Sequence, residues 1–288
     1  MERRDVVIIG GGPAGLAAAQ RFAELGIAAT VLEREQQSGG VPRHCGHLGF
    51  GWQSHRRMWT GPRFAAELRR DTAALDVRTG HTVLGIDGNV LRVQCAAGLR
   101  EIAAGRIILA TGTRETPRAP RFVGGARPRG VTTTGALQAH VYLQHFRPFM
   151  RPVIIGSEWV SFSAILTCRH LGIQPVAMIE AAERISAPRP GDLVAKLMFG
   201  VPVWTRTRLI AIEGRHQVEA VEIERGGHRE RIACDGVIFT GEFVPEAALL
   251  AGKPDVVLAG NVHGSLKTSG ACWREGRTLA GRIAEGKA

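Results

Sequence analysis

Lysine is almost absent from this chain. It occurs only as Lys196, Lys253, Lys267 and Lys287, although lysine and arginine together number 37 in 288 residues. Arginine therefore supplies nearly all of the formal charge of +11. Its arginines are scattered, with no basic block and no RNA- or DNA-binding motif, so nucleic acid is not an expected partner. A solvated, arginine-rich surface accounts for the charge, and an acidic partner subunit is the alternative. The cysteines, Cys45, Cys95, Cys168, Cys234 and Cys272, form neither a C-x-x-C pair nor a metal-finger spacing. That pattern suits a reducing cytosol better than a disulfide framework. No stretch reaches the roughly eighteen uninterrupted apolar residues of a membrane-spanning helix. The pair Arg3-Arg4 precedes an apolar run, but that run reads as the first strand and leaves no room for a removable leader, so a cytoplasmic protein is expected.

What is present begins at once. A hydrophobic share of 44% and a charged share of 22% are ordinary for a globular protein. The length allows one large or two modest domains. Val6 to Ile9 read as a buried parallel strand, the glycine turn Gly10-Gly-Gly12-Pro13-Ala14-Gly15 follows, and Leu16 to Gly26 has helical composition. Gly10, Gly12 and Gly15 fit G-x-G-x-x-G in the strand–turn–helix setting the dinucleotide fingerprint needs. In order, they permit the tight turn, the approach of a pyrophosphate to the backbone, and close helix–strand packing. Free N–H groups and the positive dipole end at the helix start favour phosphate. A second strand, Ala29 to Leu32, ends at Glu33, an acidic residue placed to accept ribose hydroxyls.

The same pattern is written twice. Pro152 to Gly156 is another buried strand ending in glycine, and Gly156 to Gly172 matches the spacing of Gly10 to Gly26. The strand Pro175 to Ile179 ends at Glu180, the counterpart of Glu33. Val77 to Gly88 aligns without gaps to Val203 to Gly214, and hairpin turns follow at Asp87-Gly88-Asn89 and Gly226-Gly227. Both halves finish on a buried strand and glycine, at Gly112 and Gly241. The expected fold is α/β, with two tandem Rossmann-like (βαβ plus β-meander) dinucleotide-binding domains.

These features resemble the two-dinucleotide-domain flavoproteins of the pyridine nucleotide–disulfide oxidoreductase superfamily over almost the whole chain. GGVPRHCGH (39–47), ATGTRETP (110–117) and GACWREGR (270–277) are most similar to FAD-dependent subunits related to hydrogen cyanide synthase, octopine/nopaline oxidase and sarcosine oxidase. The resemblance implies an FAD-binding domain from 1–114 and 235–288, and an NAD(P)-like domain at 115–234. It implies FAD contacts at Gly10, Gly12, Pro13, Ala14, Gly15, Glu33, Arg34, Gly40, Val83, Ala110, Thr111, Gly112, Gly260, Asn261, Gly270 and Ala271. The segment holding Arg43, His44, Cys45 and His47 should pass beside the isoalloxazine. There Arg43 would stabilise the anionic reduced flavin, and His44 and His47 would carry protons. A metal site from His44, Cys45, His47 and His55 matches no common spacing and is not expected.

Three departures qualify that picture. In the second fingerprint, Glu158 replaces the close-approach glycine and Ser161 the helix-packing one. A carboxylate repels a pyrophosphate, so ordinary NAD(P)H binding is not expected there. Cys45 has no nearby second cysteine, which disfavours thiol–disulfide exchange. Asn261 stands where relatives usually carry aspartate, and the 242–259 segment is short, as if Lys253-Pro254-Asp255 joined directly across a missing piece. The implied function is an FAD-dependent oxidoreductase or subunit that oxidises a C–N bond of an amino acid, opine or related amine. Electrons would pass to a second oxidoreductase subunit or another non-nicotinamide acceptor. The alternative functions are an NAD(P)H-dependent reductase and a non-catalytic nucleotide-bound scaffold within a heteromeric dehydrogenase; the partner is a second oxidoreductase subunit or another copy of the chain.

Overall fold

The computed structural model describes residues 1–187, 191–250 and 255–286. Lys253 and Pro254 of the expected join lie outside them. The chain divides into two compact units. One comprises Met1–Arg43, Leu48–Arg114 and Val244–Ala288; the other comprises His44–His47 and Glu115–Phe243. Two details correct the sequence reading. The chain returns to the first unit after Phe243 and not at 235, because the strand Gly236–Phe239 pairs with Pro152–Ile155 and Val131–Thr133 in the second unit's sheet. His44–His47 also group with the second unit.

In the first unit the strand Glu2–Ile9 lies between Ala29–Leu32 and Gly98–Leu109, parallel to both. Asp76–Arg78 extends one side and Val256–Leu258 the other, again in parallel. A central parallel strand is covered on both faces, and for that reason Val6 to Ile9 is an unbroken apolar run. Alternation sends Val6 and Ile8 into a core with Leu16, Phe22, Phe64 and Leu68, while Val7 and Ile9 join Leu32, Leu91, Val93 and Leu109. Each such side chain contributes about 1.5–3 kcal/mol by leaving water. The helix Pro13–Glu24 is alanine-rich on its buried side, and its small residues allow a second helix, Ser269–Ala284, to lie against it. At Gly276 that approach is closest: a Cβ there would sit 2.1 Å from the Ala14 carbonyl oxygen.

The second unit repeats the plan. Pro152–Ile155 lies between Ala177–Ile179 and Gly236–Phe239, with Val203–Trp204 and Val131–Thr133 at the edges, all parallel. The repeat holds at the level of single hydrogen bonds. Gly10 N–H donates to Leu32 O and Gly156 N–H to Ile179 O, both at 2.9 Å. Glu33 N–H donates to Arg78 O and Glu180 N–H to Trp204 O, again at 2.9 Å. The aligned residues Gly80 and Arg206 both take positive φ, 65° and 50°.

The halves differ in their meanders. Gly98–Leu109 is one long strand that pairs with Val90–Cys95 in antiparallel over its first half and with Glu2–Ile9 in parallel from Ile102 to Leu109. In the second unit that strand is broken between His228–Ala233 and Gly236–Phe239, so its meander forms a separate sheet with Gly124–Gly125. Asp235 fixes the break by accepting from Met150 N–H at 2.7 Å and Arg151 N–H at 2.6 Å. The hairpins turn where expected, at Gly88-Asn89 and Gly226-Gly227.

Candidate functional site

In the first unit, Ile9, Leu32, Leu109 and Leu258 end at one edge of the sheet, and the strand order reverses between Glu2–Ile9 and Gly98–Leu109. Ligands of open α/β sheets bind at such a switch point. The glycines there answer to different demands. Gly10 has φ +109°, and a Cβ on it would lie 2.5 Å from the Ala110 carbonyl oxygen; at Gly15 it would lie 2.0 Å from the Gly10 oxygen. Both are glycine because the protein's own backbone fills the space. Gly12 and Gly112 are different. A Cβ on Gly12 would meet nothing nearer than Gly40 Cα at 3.9 Å, and one on Gly112, whose φ of +75° itself favours glycine, would meet nothing within 4 Å. The fold leaves a cradle open at both.

Pro13 opens the helix without an N–H of its own, and no side chain caps the first turn. Gly40 lies across the turn, its own Cβ position 2.9 Å from Gly12 Cα. Ala14 approaches Gly260, and Ala259 N–H donates to Leu109 O at 2.9 Å, so the Gly260 segment arrives at the same edge. Ala110 N–H donates to Ile9 O at 2.8 Å, and the Thr111 hydroxyl donates to Glu246 O at 2.7 Å. Together Gly10, Gly12, Pro13, Ala14, Gly15, Gly40, Ala110, Thr111, Gly112 and Gly260 form one constellation.

Glu33 is buried, and both of its oxygens already accept: Oε2 from Gly11 N–H at 2.8 Å and Oε1 from Glu35 N–H at 2.9 Å. Each oxygen keeps a second lone pair. The Gly11 bond was not anticipated from the sequence, since nothing in G-x-G-x-x-G assigns a partner to its second residue. Asn261 spends its amide on the chain itself, accepting from Lys267 N–H at 2.8 Å and donating to Lys267 O at 3.2 Å. Ala271 N–H is taken by the capping Thr268 hydroxyl at 3.2 Å, and Gly270 packs on Gln53. Arg34 is exposed, and Val83 is half-buried in the meander, opposite Val93.

The residues expected beside the isoalloxazine are divided between the two units. Arg43 stays in the first unit, where its guanidinium pairs with Glu35 and donates to Gln37 O. An acidic partner already balances that charge. His47 pairs with Ser163 at 3.0 Å on the helix Trp159–His170 of the second unit. Cys45 is buried there, and its Sγ donates to Gln138 Oε1 at 3.3 Å. Burial, helped by the Glu115 charge, pushes its thiol up to about 12. It is therefore a thiol and not a thiolate near neutral pH. Glu115 is itself raised by burial, against the opposing bond from Gly135 N–H. His55 belongs to the first unit and contacts Asp71. Among the described residues no group of three histidine, cysteine or acidic side chains converges to hold a metal.

The second unit has an equivalent edge with different contents. Glu158 takes the place of Gly12 and Gly241 that of Gly112. The Glu158 carboxylate lies against both turn glycines: Cβ positions on Gly241 and Gly156 would be 2.2 Å from Oε1 and 2.8 Å from Oε2. Thr240 Oγ1 lies 3.1 Å from Oε2, and Ser161 Oγ lies 2.7 Å from Thr240 Oγ1. Glu180 repeats the bonds of Glu33, except that the Ser157 hydroxyl substitutes for the Gly11 N–H. The cradle open in the first unit is filled by an acidic side chain in the second.

Comparison with known proteins agrees with this architecture. The chain is 28% identical over 281 residues to the alpha subunit of sarcosine oxidase from Rhizobium meliloti (strain 1021), covering 87% of this chain and 26% of that one. It is 34% identical over 160 residues to the HcnB subunit of hydrogen cyanide synthase from Pseudomonas protegens, covering 52% and 33%. An opine oxidase subunit of Rhizobium meliloti is 26% identical over 279 residues, covering 85% and 51%. The chain thus spans between about a quarter and a half of these relatives' lengths. Among solved structures, T. acidophilum thioredoxin reductase superposes with a TM-score of 0.82 at 19% identity, covering 99% of each chain, a likeness of fold. The pyridine nucleotide-disulphide oxidoreductase model matches residues 4–258, and the chain belongs to that family of FAD-dependent oxidoreductases.

Proposed function

We propose that this chain oxidises a C–N bond of an amino acid, opine or related amine and delivers the electrons to a partner subunit or another non-nicotinamide acceptor. The observation that carries the choice of acceptor is the Glu158 carboxylate lying against Gly156 and Gly241. A dinucleotide pyrophosphate at that edge would meet a carboxylate at contact distance. The names of the relatives, sarcosine oxidase, opine oxidase and hydrogen cyanide synthase, support the substrate class.

The first unit fits FAD, because the cradle beside Gly12 and Gly112 is open and faces an uncapped helix start. Gly12 and Gly15 would bring backbone N–H groups to the pyrophosphate, and Glu33 would accept ribose hydroxyls on its remaining lone pairs. Ala110 to Gly112 and Gly260 would line the cofactor's inner portion. FAD held there would supply the two-electron redox chemistry that C–N oxidation needs. The protein's part is to orient both partners and exclude water.

The visible spectrum of purified protein, before and after anaerobic addition of NADPH, tests this reading. A flavin spectrum that NADPH does not bleach and that an amine or opine does bleach is the expected result. Rapid bleaching by NADPH overturns the acceptor assignment. A colourless protein that cannot be reconstituted with FAD favours the scaffold alternative.

A further inference from the structure

The first unit carries a second concavity whose residues take no part in the glycine-turn site. It measures about 480 Å³ and is lined by His55, Arg57, Trp59, Arg63, Glu67 and Arg70. The helix Gly61–Asp71 supplies three of these at i, i+4 and i+7, so they share one face. Glu67, only 3% exposed, divides its carboxylate: Oε1 pairs with Arg63 Nη2 at 2.6 Å and Oε2 pairs with Arg70 Nη2. Each guanidinium is thereby held end-on through one nitrogen. The other N–H groups of both arginines have no protein acceptor among the described residues.

Arg57 is exposed and has no carboxylate partner among the described residues. Trp59 and His55 form a tilted aromatic pair with ring centroids 5.2 Å apart. His55 is fixed from behind by Asp71 at 3.3 Å and Ser54 at 2.7 Å. Three guanidiniums and one carboxylate line the cleft; that carboxylate is paired on both oxygens, and Asp71, outside the lining, lies 3.6 Å from Arg70 Nη2. Surface arginines normally lose side-chain entropy when they grip an anion; here Glu67 has already ordered two of them. The volume matches small-molecule sites. Guanidinium forks suit carboxylate and phosphate oxygens, and an indole suits a planar ring.

We propose that this cleft binds a small anion built on a planar ring, its carboxylate or phosphate held by Arg57, Arg63 and Arg70 and its ring lying against Trp59. The test is isothermal titration of the FAD-loaded protein, so that the adenine-binding turn is already filled. The probes are adenosine monophosphate, indole-3-acetate and inorganic phosphate. At least one ringed anion should bind about tenfold more tightly than inorganic phosphate, and which of the two does so distinguishes a phosphate ester from a carboxylate. Arg57→Gln and Arg70→Gln should each weaken that binding about tenfold, and added salt should weaken it further. Arg70→Gln removes one of the two partners of buried Glu67. Arg57→Gln breaks no ion pair, and an unchanged flavin spectrum and melting temperature certify its fold. The proposal fails if no probe binds, if inorganic phosphate binds as well as the ringed anions, or if Arg57→Gln binds like the parent.

Discussion

Gly12 and Gly15 are three residues apart in one motif and are glycine for opposite reasons. Gly15 is required by the fold: a Cβ there collides with the Gly10 carbonyl oxygen at 2.0 Å. Gly12 has φ −83°, open to any residue, and free space before it. Gly15→Ala should therefore destabilise the protein by about 1–3 kcal/mol with or without flavin. Gly12→Glu, which copies the second unit into the first, should leave the melting temperature of the apoprotein within a degree or two while abolishing flavin retention. Absorbance per mole of protein and a thermal scan read both. A shared loss of stability would mean that Gly12 is structural after all. At Asn261 the prediction turns on hydrogen-bond polarity. Aspartate can still accept from Lys267 N–H, but it has no donor for Lys267 O and sets a negative charge against it. Asn261→Asp should cost about 1–3 kcal/mol, and Asn261→Ala no more than that. Denaturant midpoints of the two variants decide whether the amide is the required group.

At the scale of elements, the helix Ser269–Ala284 depends on its glycine more than on its apolar face. The near-contact of Gly276 with Ala14 O sets its distance from the helix Pro13–Glu24, and Arg277 adds paired contacts to Glu24 at 2.8 and 2.7 Å. That ion pair is part-buried and bidentate, and contributes about 1 kcal/mol. Gly276→Leu should force the helices apart, disturb Ala14 and Gly260, and lower both stability and flavin affinity. Arg277→Ala should cost about 1 kcal/mol of stability and leave flavin affinity unchanged. The pair of variants separates packing from charge, and equal losses in both would sink the packing argument.

At the scale of the whole molecule, the buried thiols act in one direction. Burial pushes Cys45 and Cys168 up to about 12 and Cys234 and Cys272 up to about 11. A thiol whose pKa is raised on folding stabilises the native state fully below its unfolded value, near 9, and that contribution is lost as pH rises through the folded values. The melting temperature should accordingly fall between pH 9 and pH 11, and alkylation by iodoacetamide at pH 8 should spare these four cysteines in native protein. Prompt native labelling of Cys45 would contradict its burial. The division of labour between the units is testable at the same scale. Removing the acidic plug with Glu158→Gly should raise NADPH affinity above that of the parent, while flavin content stays constant.

Much of this protein was legible as a line of letters. The glycine turn, the acidic strand end and the second copy of both follow local rules, because strand, turn and helix are set by residues close in sequence. The aligned positive-φ positions Gly80 and Arg206 show how closely the repeat is kept. What the sequence could not assign were partners distant along the chain. Family resemblance grouped Arg43 with His44, Cys45 and His47, but could not name their partners, Glu35 for Arg43 in one unit and Gln138, 93 residues away, for Cys45 in the other. It placed the return to the first unit at 235, because a strand's apolar composition does not say which sheet it will enter. Glu158 was recognisable by position as a departure, but only the folded chain brings its carboxylate against Gly241. Local dihedral preference and periodicity were enough to specify two nucleotide folds. Which of their two cradles remained open was decided by packing between segments distant in sequence, where the Glu158 side chain fills the space between Gly156 and Gly241 that its counterpart Gly12 leaves free.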